Sequence, residues 1–236
     1  MLGEPLCGCG ADGETMANNG REQGIEITLE STVHGGLLGI PEDAEAIVVF
    51  AHGSGSGRFS PRNALVARTL RASGLATLMF DLLTEDEDRV YENRFDIDLL
   101  AQRLLGATEW LKQQPRLRNM AIGYFGASTG AAAALKAAAV LGSAVRAVVS
   151  RGGRPDLAGA ELLAVQAATL LIVGGNDEIV IELNKEAYAK LRATKELQII
   201  PGASHLFEES GALEQVARLA TAWFTRFLTE VPQAIH

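Results

Sequence analysis

Residues 120–141 read MAIGYFGASTGAAAALKAAAVL, which is an apolar run, the pentapeptide Gly-Ala-Ser-Thr-Gly and an alanine-rich run. This order predicts a strand, a sharp turn and a helix, with Ser128 at the turn. The pattern G-x-S-x-G requires Gly126 and Gly130 because strand and helix approach so closely that a Cβ at either position would clash. Ser128 is therefore the first candidate for a nucleophile.

On both sides of this turn, the chain alternates between short β-rich runs and amphipathic helical runs. Such alternation is typical of a parallel sheet covered by helices on both faces. Several strands are continuously apolar, as expected of central strands, and the first two can form an antiparallel pair. The eight predicted strands are 25–29, 33–40, 46–51, 76–82, 120–125, 145–150, 169–173 and 196–200.

Helices are predicted between the strands. Ser60 and Pro61 offer an N-cap and a first helical residue for a helix that ends near Arg71. Residues 151–168 leave room for one helix and its turns, but not for a lid domain. The other predicted helices are 97–113, 131–141, 181–191 and 213–228.

Length and charge limit the classes of protein and partner. A chain of 236 residues fits one α/β domain, which we place at 24–236 after a flexible tail at 1–23. The formal net charge of −8 disfavours nucleic acid and anionic membranes as partners. The first residues lack the pattern of a secretory signal, so we expect a cytoplasmic protein.

Two further features contain potential metal ligands, and neither is interpreted as a metal site. Cys7 and Cys9 lack the additional ligands of a structural zinc site, so we expect two reduced cysteines on the tail. The acidic run at 84–88 is interpreted as a solvated loop and not as a metal site. We therefore expect no metal.

Polar residues follow three of the predicted strands. Ser128 follows the fifth strand, Asp177 the seventh and His205 the eighth. In open α/β sheets, groups at the carboxyl ends of strands converge on one crevice. A serine hydroxyl needs a base to take its proton and a carboxylate to orient that base, and His205 and Asp177 can fill these roles. Glu178 is the neighbouring rival for the acid.

The other histidines are less suited to act as the base. His34 lies in an early strand, His236 is the last residue, and His52 belongs to a glycine-rich turn. We expect His52 to brace that turn by hydrogen bonding.

The glycine-rich turn HGSGSG at 52–57 lets a backbone approach a reacting carbonyl. We predict that the backbone N–H groups of Thr129 and Ser54 form an oxyanion hole, and the second donor could shift by one residue.

The chain resembles the α/β-hydrolases of the dienelactone hydrolase-like family. The resemblance runs from about residue 25 to 228 through His52-Gly53, the turn at Ser128, Asp177 and His205. Within that family, the run at 52–63 is similar to domains that occur alone or fused to a phosphoribosyltransferase. The resemblance implies an α/β-hydrolase fold, with an eight-stranded, mostly parallel sheet and no lid domain, and hydrolysis of esters or lactones without a cofactor. The dienelactone hydrolases proper use a cysteine nucleophile, whereas this turn has Ser128.

Four arginines follow strand ends on the reactive side and have two open roles. They can bind a substrate carboxylate in a bidentate manner, or they can form structural ion pairs with residues such as Asp81 or Asp156. Arg58 and Arg151 are the candidate substrate-binding residues, and Arg151 is the better of the two. The full set is Arg58, Arg62, Arg151 and Arg154.

The leading interpretation is a serine hydrolase that cleaves small ester, thioester or lactone substrates through an acyl-enzyme intermediate. Two alternatives remain open. The same three residues could serve an acyltransferase or a peptidase, or the fold could be a non-catalytic binding module that associates with a phosphoribosyltransferase. A homo-oligomer is also left open.

Overall fold

The computed structural model describes residues 22–229 and contains one eight-stranded sheet. All eight predicted strands are confirmed, although β1 already begins at Glu22, inside the segment predicted as a tail. Cys7, Cys9 and His236 lie outside the described residues. The strands are β1 Glu22–Leu29, β2 Thr32–Gly39, β3 Ala46–Ala51, β4 Ala76–Phe80, β5 Ala121–Ala127, β6 Val145–Arg151, β7 Ala168–Gly174 and β8 Lys195–Ile200.

The strand order is β1-β2-β4-β3-β5-β6-β7-β8. β2 pairs antiparallel with both of its neighbours, and every other neighbouring pair is parallel. The carboxyl ends of β3 to β8 therefore point to the same edge of the sheet. The α/β-hydrolase fold is confirmed.

In the described part of the chain, six α-helices accompany the sheet. The helix predicted after Pro61 begins there, because the Ser60 side chain accepts a hydrogen bond from the Asn63 N–H and proline suits the first helical position. The helices are α1 Pro61–Ala72, α2 Glu85–Asp88, α3 Ile97–Gln113, α4 Thr129–Leu141, α5 Glu178–Lys190 and α6 Ala212–Phe224.

Two predicted segments differ from the structure. The run predicted as a loop at 84–88 forms the short helix α2, since Thr84 and Glu87 form a reciprocal capping box at its start. The last helix, predicted to reach residue 228, ends at Phe224 and continues as a π-helical turn over Thr225–Thr229.

The sheet is buried on both faces. Side chains of α3, α4 and α5 pack against one face, and side chains of α1 and α6 pack against the other. The connection between β6 and β7 contains no lid domain, as predicted, but instead of one helix it forms 3-10 turns within Pro155–Ala164 that are interrupted at Gly159. Within residues 22–229, no helix is long and apolar enough to cross a membrane. Because both faces of the sheet are packed against helices, the loops at its carboxyl edge are attached to a well-packed core.

Candidate active site

Ser128 lies at a strained turn between β5 and α4. Its φ of +51° and ψ of −122° are unusual for a residue with a side chain. A Cβ at Gly126 would lie within 3.0 Å of the Ala131 backbone, and one at Gly130 would overlap the carbonyl oxygen of Ala51. Both glycines are therefore needed for the reason predicted, and the turn presents Ser128 at the carboxyl edge of the sheet.

Asp177 and His205 are in contact although they are far apart in sequence. The His205 Nδ1–H donates to Asp177 Oδ2 at 2.7 Å. Asn176 joins the two loops, because its side chain donates to the carbonyl of Gly202 at 2.8 Å. An imidazole held through Nδ1 keeps its other nitrogen, Nε2, available for proton transfer. It is Asp177, and not the rival Glu178, that binds the imidazole.

Ser128 and His205 line one cavity of about 250 Å³. The loop after β6 closes one side, since a Cβ at Gly152 would lie 3.6 Å from His205 Cε1. The glycine-rich turn closes another, since a Cβ at Gly53 would lie 3.0 Å from the Ser128 Cβ. The predicted nucleophile and base therefore face the same space.

The predicted oxyanion donors lie beside the nucleophile, and one of them already has a partner. The Ser54 N–H donates to Thr129 Oγ1 at 3.1 Å. A substrate oxygen would have to replace this hydroxyl to use the Ser54 N–H. Thr129 and Ser54 were predicted to meet through their backbone N–H groups, but the contact of the Thr129 side chain was not predicted, because the sequence does not give the direction of that side chain.

His52 braces the glycine-rich turn. Its Nδ1–H donates to the Gly53 carbonyl at 3.0 Å, and its Nε2 accepts from the Leu82 N–H at 3.0 Å. The bond at Nε2 requires the neutral imidazole, and burial lowers the pKa of His52. The structure thus agrees with the bracing role expected for this residue.

The candidate arginines separate into two groups. Arg58 forms an ion pair with Asp81, and its backbone N–H also donates to Asp81 Oδ1 at 2.7 Å. Its side chain lines a separate, neighbouring cavity of about 500 Å³ and not the one with Ser128. Arg154 forms a bidentate pair with Asp156, at 2.7 and 2.9 Å. The structure therefore favours the structural alternative for Arg58 and Arg154.

Arg151, the better of the two candidates, lines the cavity with Ser128, and so does Arg62. Arg151 is only 7% exposed, and burial, followed by the neighbouring charge of Arg62, lowers its pKa to about 10. It nevertheless remains a cation at neutral pH. Arg62 could be selected as a candidate from the sequence, but its contact with this cavity could not.

Known proteins resemble this chain over most of its length. The model of the Dienelactone hydrolase family matches residues 35–231. A dienelactone hydrolase from Anabaena variabilis has a crystal structure with a TM-score of 0.87 and 53% identity, and the match covers 89% of this chain and 99% of that one. Est1E from Butyrivibrio proteoclasticus has a TM-score of 0.74 at 16% identity, covering 88% of this chain and 99% of that one, which indicates a shared fold.

A protein of Mycobacterium tuberculosis that is named a phosphoribosyl transferase is 55% identical over 204 residues. The match covers 86% of this chain but only 46% of that protein, so this chain spans less than half the length of that relative. Its name is consistent with the fusion that the resemblance implied. Together with the fold, the family match shows that the chain belongs to the dienelactone hydrolase family.

Proposed function

We propose that this protein is a serine hydrolase that cleaves small ester, thioester or lactone substrates. The observation that supports this most is the 2.7 Å hydrogen bond between Asp177 and His205, in loops that place the imidazole on the same cavity as Ser128. These are the three groups that nucleophilic acyl transfer requires, in the chain order typical of this fold.

In the proposed reaction, His205 Nε2 takes the hydroxyl proton of Ser128 while the Ser128 oxygen attacks the substrate carbonyl. Asp177 stabilises the imidazolium that forms. The backbone N–H groups of Thr129 and Ser54 bind the oxyanion, the second after Thr129 Oγ1 gives way. His205 then donates the proton to the leaving oxygen or sulfur, and an acyl-enzyme remains.

Water completes the cycle. His205 removes a proton from a water molecule, whose oxygen attacks the acyl-enzyme, and the proton returns to Ser128 as the acid is released. The His205 side chain is 39% exposed, which gives water direct access and favours hydrolysis over transfer to another acceptor. The Anabaena relative, a dienelactone hydrolase by name, supports the inclusion of lactones.

The test is covalent labelling with a fluorophosphonate. The wild-type protein should gain the mass of one probe adduct on a peptide that contains Ser128, and it should hydrolyse p-nitrophenyl acetate. Ser128→Ala should abolish both labelling and hydrolysis, because it removes the attacking oxygen. Ser73→Ala, at the C-terminal end of α1, is the control that should retain both. Undiminished hydrolysis by Ser128→Ala would refute the proposal.

A further inference from the structure

The cavity beside Ser128 has one wall with two positive charges. Arg62 and Arg151 both line it, together with Asn63 at the start of α1. The Ser128 N–H donates to the Arg151 carbonyl at 3.3 Å, so this arginine is fixed directly beside the nucleophile. The chain as a whole has a net charge of −8, which makes this wall an exception to the average field.

Among the residues that the structure describes, no anion pairs with the buried cation Arg151. Its side chain lies against the ring of Phe207, with the guanidinium carbon 5.9 Å from the ring centre. A distance near the outer limit of a cation–π contact orients the group but satisfies none of its N–H donors. Among residues 22–229, Arg151 forms no ion pair, and its buried Nε has no hydrogen-bond partner. Burying an uncompensated charge is unfavourable. Since the described residues supply no anion to Arg151, an anionic ligand would be bound favourably at this position.

Two neighbours of Arg151 on this wall are also incompletely bonded. The buried Nε of Arg62 and the buried Oδ1 of Asn63 lack partners among the described residues. Arg62 does reach Glu208, but at 3.4 Å and with a carboxylate whose side chain is 64% exposed, so this pair compensates little of its charge. Three polar side chains on one wall, those of Arg62, Asn63 and Arg151, can therefore bind a ligand that has several oxygens.

We propose that this wall binds a phosphate group of the substrate, so that the ester or lactone cleaved at Ser128 is a phosphorylated one. This inference rests on the proposed function. A single carboxylate would satisfy one guanidinium in a bidentate manner and leave the second charge of the pair uncompensated. A phosphate monoester is close to a dianion at neutral pH and has three acceptor oxygens, which matches two neighbouring guanidinium groups, Arg62 in the first turn of α1 and Arg151 at the end of β6. The Asn63 amide oxygen remains for a hydroxyl of the same ligand.

The test measures binding without turnover. In the Ser128→Ala protein at pH 8 and constant ionic strength, methyl phosphate and acetate are titrated by calorimetry. We expect methyl phosphate to bind at least tenfold more tightly than acetate. Adding Arg151→Met or Arg62→Met should each weaken methyl phosphate binding at least tenfold. Arg68→Met, an exposed arginine on the same helix α1, is the matched control and should leave binding unchanged.

Equal affinity for acetate and methyl phosphate would overturn the inference, as would methyl phosphate binding that is insensitive to both arginine changes. If Arg151→Met does not fold, as judged by circular dichroism, the Arg62→Met protein alone decides. The outcome is independent of esterase activity. A wild-type protein that hydrolyses p-nitrophenyl acetate but does not bind methyl phosphate would refute only this inference. Phosphate binding without any hydrolysis would refute the proposed function and would leave a phosphate-binding site with no ester cleavage beside it.

Discussion

Asp177 holds His205 in one orientation and one tautomer. Asp177→Asn would replace the acceptor oxygen by an amide that can donate, which favours the tautomer with its proton on the wrong nitrogen. We expect kcat to fall by about 10⁴-fold with little change in stability, as is usual when a triad acid becomes an amide. Steady-state kinetics on p-nitrophenyl acetate would measure this. Asp156→Asn, which alters the carboxylate paired with Arg154, should stay close to wild type. A small effect of Asp177→Asn would exclude its role.

Individual residues differ in how well the sequence predicted their positions. Ser128, Asp177 and His205 each follow a strand, and strand ends of a parallel sheet converge, so the strand pattern together with the G-x-S-x-G motif and the chain order predicted that these residues lie near one another. Arg58 and Arg151 could not be separated in this way, because both follow strands and only the folded chain shows that Arg58 faces Asp81. The choice depends on the direction of a long side chain, which a pattern of apolar residues does not encode.

At the scale of elements, the packing of α4 against β3 depends on Gly130. A methyl group there would overlap backbone oxygens of Ala51 and His52, which cannot move without displacing β3. We expect Gly130→Ala to lower the free energy of unfolding by at least about 3 kcal/mol or to prevent folding. Urea denaturation followed by circular dichroism would measure the change. Gly24→Ala in β1 is the control, because nothing lies within 4 Å of its added Cβ. A stable Gly130→Ala protein would show that the two backbones can separate.

Strands and long helices were predictable, and short elements were not. β3 and α3 have the predicted bounds because a continuous apolar run and a helical period each extend over their whole length. α2 was missed although Thr84 and Glu87 have capping-box spacing, since four acidic residues in a row suggest mutual repulsion. The end of α6 was misplaced because its apolar spacing continues into the π-helical turn, where only the hydrogen bonding changes.

For the whole molecule, the buried neutral His52 predicts a loss of stability in acid. Its pKa is lowered in the folded protein, so below about pH 6.5 the unfolded chain binds a proton that the folded chain does not. The free energy of unfolding should therefore fall as the pH decreases from 7.5 to 5.5, by at most about 1.4 kcal/mol per pH unit from this residue. His52→Gln should be less stable at pH 7.5 but show a smaller decrease.

Urea unfolding at the two pH values would measure both slopes. Burial also lowers the pKa of His34, and this contribution remains in the variant, so the difference between the two proteins isolates His52. Parallel slopes would mean that burial does not keep His52 neutral in the folded protein.

The three proposed reacting groups occur along the chain in the order nucleophile, acid, base. The base follows β8, which is the last strand within residues 22–229 and one edge of the sheet. During synthesis on a ribosome, the serine turn emerges long before the loop that carries His205. A nascent or prematurely terminated polypeptide that lacks β8 can thus have its sharp turn in place and still be unable to attack an ester. On the proposed mechanism, reactivity begins only after the loop that carries His205 has been synthesised and has folded against the serine turn.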